Sequence, residues 1–144
     1  MQKNLITPSI LLALALIGLG DTLYLAYFQY LNLIPTCAIS GCEQVLTSVY
    51  SKFFGVPWSY IGLVYYVYAL ALGVLLTIEP RSRALRLAAL AYFGTGVLYS
   101  CWAIFYIQLG LIHALCQYCA LSALTTLALF ITSLWHWRAS TRSA

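Results

Sequence analysis

The sequence predicts an all-α membrane protein: a four-transmembrane-helix bundle with a short lid helix on the outer face and both termini cytoplasmic. Three observations predict it. Of 144 residues, 63% are apolar and 7% charged, a balance that no water-soluble domain of this size would need. Charge-free runs extend from Phe53 to Ile78 and from Leu87 to Trp137. The second is long enough for two spans of about 20 residues each, and the amino-terminal run brings the number to four. Lys3, then Arg81, Arg83 and Arg86, then Arg138 and Arg142 are six of the seven basic residues, and a four-span chain puts all three segments on one side. By the positive-inside rule that side is the cytoplasm. The net charge of +4 therefore reports orientation in a plasma (inner) membrane, and no nucleic-acid partner is expected.

The first span is expected over about 6–29, with Pro8 tolerable in a first turn. Lys3 followed by Leu5 to Gly20 resembles a signal peptide in charge and length. No small-x-small site ends the run, however, and apolar residues continue from Leu23 to Phe28, so it is read as a span. Asp21 lies about 20 Å along this helix, towards its outer end. A carboxylate at that depth is costly unless paired or wetted. It is read as a hydrogen-bonding partner for another helix or a group exposed to interfacial water, the alternative being a polar role beside the outer cysteines.

The outer loop covers about 30–56. Ser40-Gly41-Cys42-Glu43 matches a capping box, so a short helix should follow. Val45, Leu46, Val49, Tyr50, Phe53 and Phe54 make one apolar stripe at helical spacing, with Gly55 as its stop and Pro57 beyond. Such a stripe outside the membrane must lie on something apolar, which makes it a lid across the outer ends of the bundle. The second span, over 57–78, starts with Trp58 and Tyr60 at the interface. A hairpin from Glu79 to Arg83 leads to the third, over 84–109, where Gly94, Gly96 and Ser100 permit close helix approach. Cys101, in its outer half, is read as a packing residue. After a short turn from Gly110 to His113, the fourth span covers 114–135 and ends in the anchor Trp135-His136-Trp137-Arg138. No repeat or second domain interrupts residues 1–144.

Cysteines carry the chemistry. Cys116-Gln117-Tyr118-Cys119 is a C-x-x-C at the start of the fourth helix, with its sulfurs on one face and Cys116 at the positive end, where a thiolate is favoured. Cys37 and Cys42 lie in the outer loop. All four face an oxidising compartment, where disulfides persist. Four cysteines allow three pairings, and sequence does not choose among them. Local pairs would close very short loops and add little stability through chain entropy, which suits reversible exchange better than stapling. Zinc is the competing use of two closely spaced pairs, but an oxidising face is a poor place to keep four thiolates reduced. Covalent haem needs His after the second cysteine, and residue 120 is Ala.

The arrangement of Cys37, then Cys42-Glu43-Gln44-Val45-Leu46-Thr47-Ser48, Tyr50-Ser51, Gly55-Val56-Pro57, Gly62 and the late Cys116-Gln117-Tyr118-Cys119 resembles the vitamin K epoxide reductase family in its small bacterial form. The resemblance covers nearly the whole chain. It implies a quinone, ubiquinone or menaquinone, held near the outer face of a four-helix bundle, and no metal. It implies electrons passing from a separate, secreted thioredoxin-fold protein of the DsbA type through Cys37 and Cys42 to Cys116 and Cys119, with Cys119 beside the quinone. Ser48 matches the family serine credited with a hydrogen-bonding role at the pocket, and Trp58, Tyr65, Tyr66 and Phe93 are candidates to line it. Leu121-Ser122-Ala123 stands where the animal enzymes have Thr-Tyr-Ala, which argues against a vitamin K epoxide pocket. The late C-x-x-C reverses the order found in DsbB-like enzymes. The function implied is a membrane thiol:quinone oxidoreductase that drives disulfide formation. The alternative is a non-catalytic membrane subunit with structural disulfides or a zinc site.

Overall fold

A computed structural model describes residues 3–38 and 41–142, with the backbone only of Lys3 and Asn4. Four helices are long and apolar enough to cross a membrane. They are α1 (Lys3–Tyr30), α3 (Trp58–Ile78), α4 (Arg83–Cys101), which runs on as a π-helix over Trp102–Ile112, and α5 (Gln117–Arg142). The protein is an all-α, four-helix membrane bundle. Helix α1 packs along α3 and α5, and α4 along α5, whereas α3 and α4 touch at few points.

The core shows how the bundle holds together where no hydrophobic drive exists between helix and lipid, and packing has to do the work. Leu11, Ala15, Tyr66, Ala69, Leu76, Ala89, Phe93 and Leu129 form one buried cluster. Small residues alternate with large ones across the facing helices, which lets the large ones interdigitate. The exposed apolar residues, such as Leu16, Val64, Leu98 and Leu124, coat the outside of the helices, as lipid contact requires.

Several boundaries differ from those expected. The α4 helix continues three residues past 109, because its last turns widen into π geometry, a form often found at functional sites. His113 then ends it in the left-handed conformation at φ 58°, and α5 starts at Gln117 rather than 114. Helix α5 also runs on through the aromatic anchor to Arg142, where Trp137 lies under the guanidinium groups of Arg83 and Arg86. Cation–π contact with this ring lets the basic turn and the end of α5 share one interface.

The lid is shorter than the stripe suggested. Helix α2 (Cys42–Leu46) is followed by one 3-10 turn over Val49–Ser51 and a two-stranded hairpin, β1 (Lys52–Phe53) with β2 (Val56–Pro57). Gly41 occupies the N-cap of α2, and the Ser40 half of the expected capping box lies outside the described residues. Phe54 and Gly55 form the hairpin turn with φ of 51° and 81°, the handedness that a two-residue turn demands. That turn redirects the chain, so Val45 stays buried while Val49 and Phe54 face outward at 87% and 91% exposure. The stripe is therefore one short buried turn and an outward hairpin, rather than one continuous helical face.

Candidate functional site

The two cysteine pairs meet at the end of the bundle opposite the arginine-rich turn. Cys37 and Cys42 are joined as a disulfide with Cα atoms 6.3 Å apart. Cys42 is buried and shares a cluster with Val45, Ala114 and Cys116, around which Cys37 and Cys119 are packed. Gly41 makes this approach possible. A Cβ there would collide with the backbone of Leu115, the residue before Cys116. No motif in the sequence marks this requirement, because it arises from two segments over 70 positions apart.

Cys116 and Cys119 are thiols. Cys116 stands just before the first turn of α5, and its carbonyl accepts from the N–H of Ala120 at 2.9 Å. The Cys119 thiol donates to Cys116 and, against the opposing cost of burial, brings the Cys116 thiol down to about 7; the backbone N–H groups of Cys119 and Tyr118 add to the effect. Helix-start amides aimed at a sulfur stabilise its anion, so Cys116 is the readier nucleophile of the pair. Gln108, which sequence reasoning missed, is buried in the π-helical segment, and its side-chain oxygen accepts from the Cys116 N–H at 3.1 Å.

Beside Cys119 opens a cavity of about 400 Å³ between the four long helices and the lid. Val45, Leu46, Ser48, Tyr50 and Ser51 cover it from the outer side. Ser48 lines it, with its hydroxyl donated to the Val45 carbonyl at 2.8 Å, so this side chain also fixes the lid turn. Trp58 lines it too, donating its indole N–H to the Tyr50 carbonyl at 2.9 Å and lying between the rings of Phe53 and Tyr99. Tyr66 forms part of the wall, and its hydroxyl is consumed by α5: it donates to the Ser122 carbonyl at 2.8 Å and lies 2.9 and 3.0 Å from the hydroxyls of Ser122 and Thr126. The neighbouring Tyr65 differs. Its ring stacks on Tyr92 at 4.8 Å, and its buried hydroxyl has no hydrogen-bond partner among the described residues.

Three expected placements are corrected. Phe93 is fully buried in the bundle core and does not line the cavity, because α4 turns that position towards α5. Cys101 is exposed on the outside of the bundle rather than packed within it. Asp21 is buried, only 8% exposed, rather than open to interfacial water, and its Oδ2 has no hydrogen-bond partner among the described residues. No group of three or more His, Cys, Asp or Glu suited to a metal occurs among the described residues.

A membrane bundle that sets a disulfide and a dithiol in one buried cluster beside an apolar cavity defines a class, the cysteine-based membrane oxidoreductases. The family model described as the vitamin K epoxide reductase family matches residues 9–134, and the chain belongs to that family. Comparison with curated proteins finds no match.

Proposed function

We propose that this protein is a thiol:quinone oxidoreductase of the plasma (inner) membrane. It takes electrons from a secreted thioredoxin-fold protein of the DsbA type through Cys37 and Cys42, passes them to Cys116 and Cys119, and so sustains disulfide formation on the extracytoplasmic side. The observation that carries the reading is the shared burial of Cys42 and Cys116 in one cluster, with Cys119 opening onto the cavity.

Burial divides the roles of the loop cysteines. Cys37 is half-buried and its segment is exposed, so it meets the partner; Cys42 is enclosed and faces Cys116. Once the partner has reduced the loop pair, the Cys42 thiolate attacks Sγ of Cys116 in a Cys116–Cys119 disulfide, and Cys119 leaves as a thiolate. The Cys37 thiolate then attacks Cys42, releasing the Cys116 thiolate. The Cys37–Cys42 disulfide is restored and the core pair holds two electrons.

The cavity fits a quinone ring. It is large enough and mostly apolar. A quinone bound there supplies an acceptor for two electrons and two protons. Cys119 lies at the wall where the dithiol gives these up and the core disulfide re-forms. Ser48 and Trp58 hold the lid that excludes water.

Quinone reduction by the purified protein, supplied with a reduced thioredoxin-fold substrate, tests the proposal. Cys119→Ala should abolish turnover. A rate that survives the substitution, or no rate in the unaltered protein, favours a non-catalytic subunit.

A further inference from the structure

The two residues between the core cysteines reach across to the loop pair. Gln117 accepts through its side-chain oxygen a hydrogen bond from the backbone N–H of Ala38 at 2.9 Å. Tyr118 donates its hydroxyl to the carbonyl of Thr36 at 2.6 Å. Thr36 and Ala38 are the residues on either side of Cys37, so both bonds close on the flanks of one cysteine. The Tyr118 ring is braced in turn by α1, lying 5.4 Å from the ring of Tyr24, which itself stands 4.7 Å from Phe28. The start of α5, braced by α1, therefore holds the backbone on both sides of Cys37, and neither hydrogen bond involves a sulfur.

We propose that Gln117 and Tyr118 are positioning residues that latch the Cys37 segment onto the start of α5, holding Cys42 at Cys116 for disulfide exchange. The physical reason is effective concentration. A short loop tethered only at its ends samples many arrangements, whereas two backbone anchors around Cys37 confine its partner Cys42 to the cluster that contains Cys116. Because the anchors sit on the C-x-x-C itself, the dipeptide sets the register of one cysteine pair against the other. It is also the part of the latch that a docking partner must pass to reach Cys37. The inference rests on the exchange between loop and core pairs proposed above, and its test needs neither quinone nor partner.

The measurement is the equilibrium formation of a Cys42–Cys116 disulfide against a glutathione redox buffer, in protein carrying Cys37→Ser, Cys119→Ser and Cys101→Ser. Tyr118→Phe retains the ring against Tyr24 and loses only the donor; Gln117→Leu loses the acceptor. Each should lower the effective concentration of the pair by about three- to tenfold, the worth of one partly exposed hydrogen bond. Gln117→Glu keeps an acceptor and should restore most of the loss. An unchanged value in Tyr118→Phe or in Gln117→Leu, or a Gln117→Glu protein as impaired as Gln117→Leu, overturns the latch. Failure of the wider reading looks different: the Cys42–Cys116 disulfide would respond to the latch variants while quinone reduction remained absent.

Discussion

The side-chain oxygen of Gln108 accepts the backbone N–H of Cys116 at 3.1 Å, joining the π-helical end of α4 to the start of the redox helix. This bond is buried, and it fixes the backbone of Cys116. Gln108→Leu leaves that N–H without a partner, a cost of about 1–3 kcal/mol. The variant should unfold at lower temperature and turn over more slowly, whereas Gln108→Glu, which keeps an acceptor, should recover part of the rate. Thermal unfolding in detergent and quinone turnover check both parts.

The contact of Gly41 with Leu115 makes a second expectation. Gly41→Ala inserts a methyl group against backbone that has no side chain to move aside, and overpacking of this kind costs about 1–3 kcal/mol. The loop should lift, so transfer from loop to core should slow while direct quinone reduction by a pre-reduced Cys116–Cys119 pair stays near its original rate. Equal loss of both rates would mean that Gly41 has some other role.

Thiolate absorbance gives a third. In reduced protein with Cys37, Cys42 and Cys101 replaced by Ser, the thiolate signal should grow as pH rises through about 7, the midpoint belonging to Cys116. The largest cause is the hydrogen bond from Cys119, so Cys119→Ala should move the midpoint upward, towards the ordinary thiol range. A midpoint that ignores the substitution would assign the low value to the helix amides instead.

The adjacent tyrosines should behave oppositely. Tyr65→Phe removes a buried hydroxyl that makes no well-formed hydrogen bond, so stability should hold or improve. Tyr66→Phe removes the donor to the Ser122 carbonyl and the partner of the Ser122 hydroxyl and should cost about 1–3 kcal/mol of stability. Thermal unfolding in detergent checks both, and a Tyr65→Phe protein destabilised as much as Tyr66→Phe would overturn the distinction.

Spans and the C-x-x-C were legible in the sequence because each has a local signature, length without charge for a helix and spacing for a dithiol, whereas the pairing of the four outer cysteines was left open. The late C-x-x-C and the loop pair could be placed on one face from the basic residues alone. What was illegible depends on long-range contact. Gly41 against Leu115 and Gln108 against Cys116 leave no periodic trace, since each is a single residue whose partner lies in another segment. The lid was misjudged for a related reason. Its apolar spacing fits a helix, but Phe54 and Gly55 take left-handed conformations that a hairpin imposes, and spacing does not encode them. Tyr65 and Tyr66 were both candidates because aromatic character does not separate them, and only the groups of Ser122 and Thr126 on α5 show that the Tyr66 hydroxyl is occupied.

The most direct test of the central claim is a single turnover without the loop cysteines. Protein carrying Cys37→Ser, Cys42→Ser and Cys101→Ser is reduced, freed of reductant and mixed anaerobically with quinone. The account predicts one quinol formed for each Cys116–Cys119 disulfide, the disulfide being mapped by differential thiol labelling. Quinone that stays oxidised while both thiols remain free would contradict it.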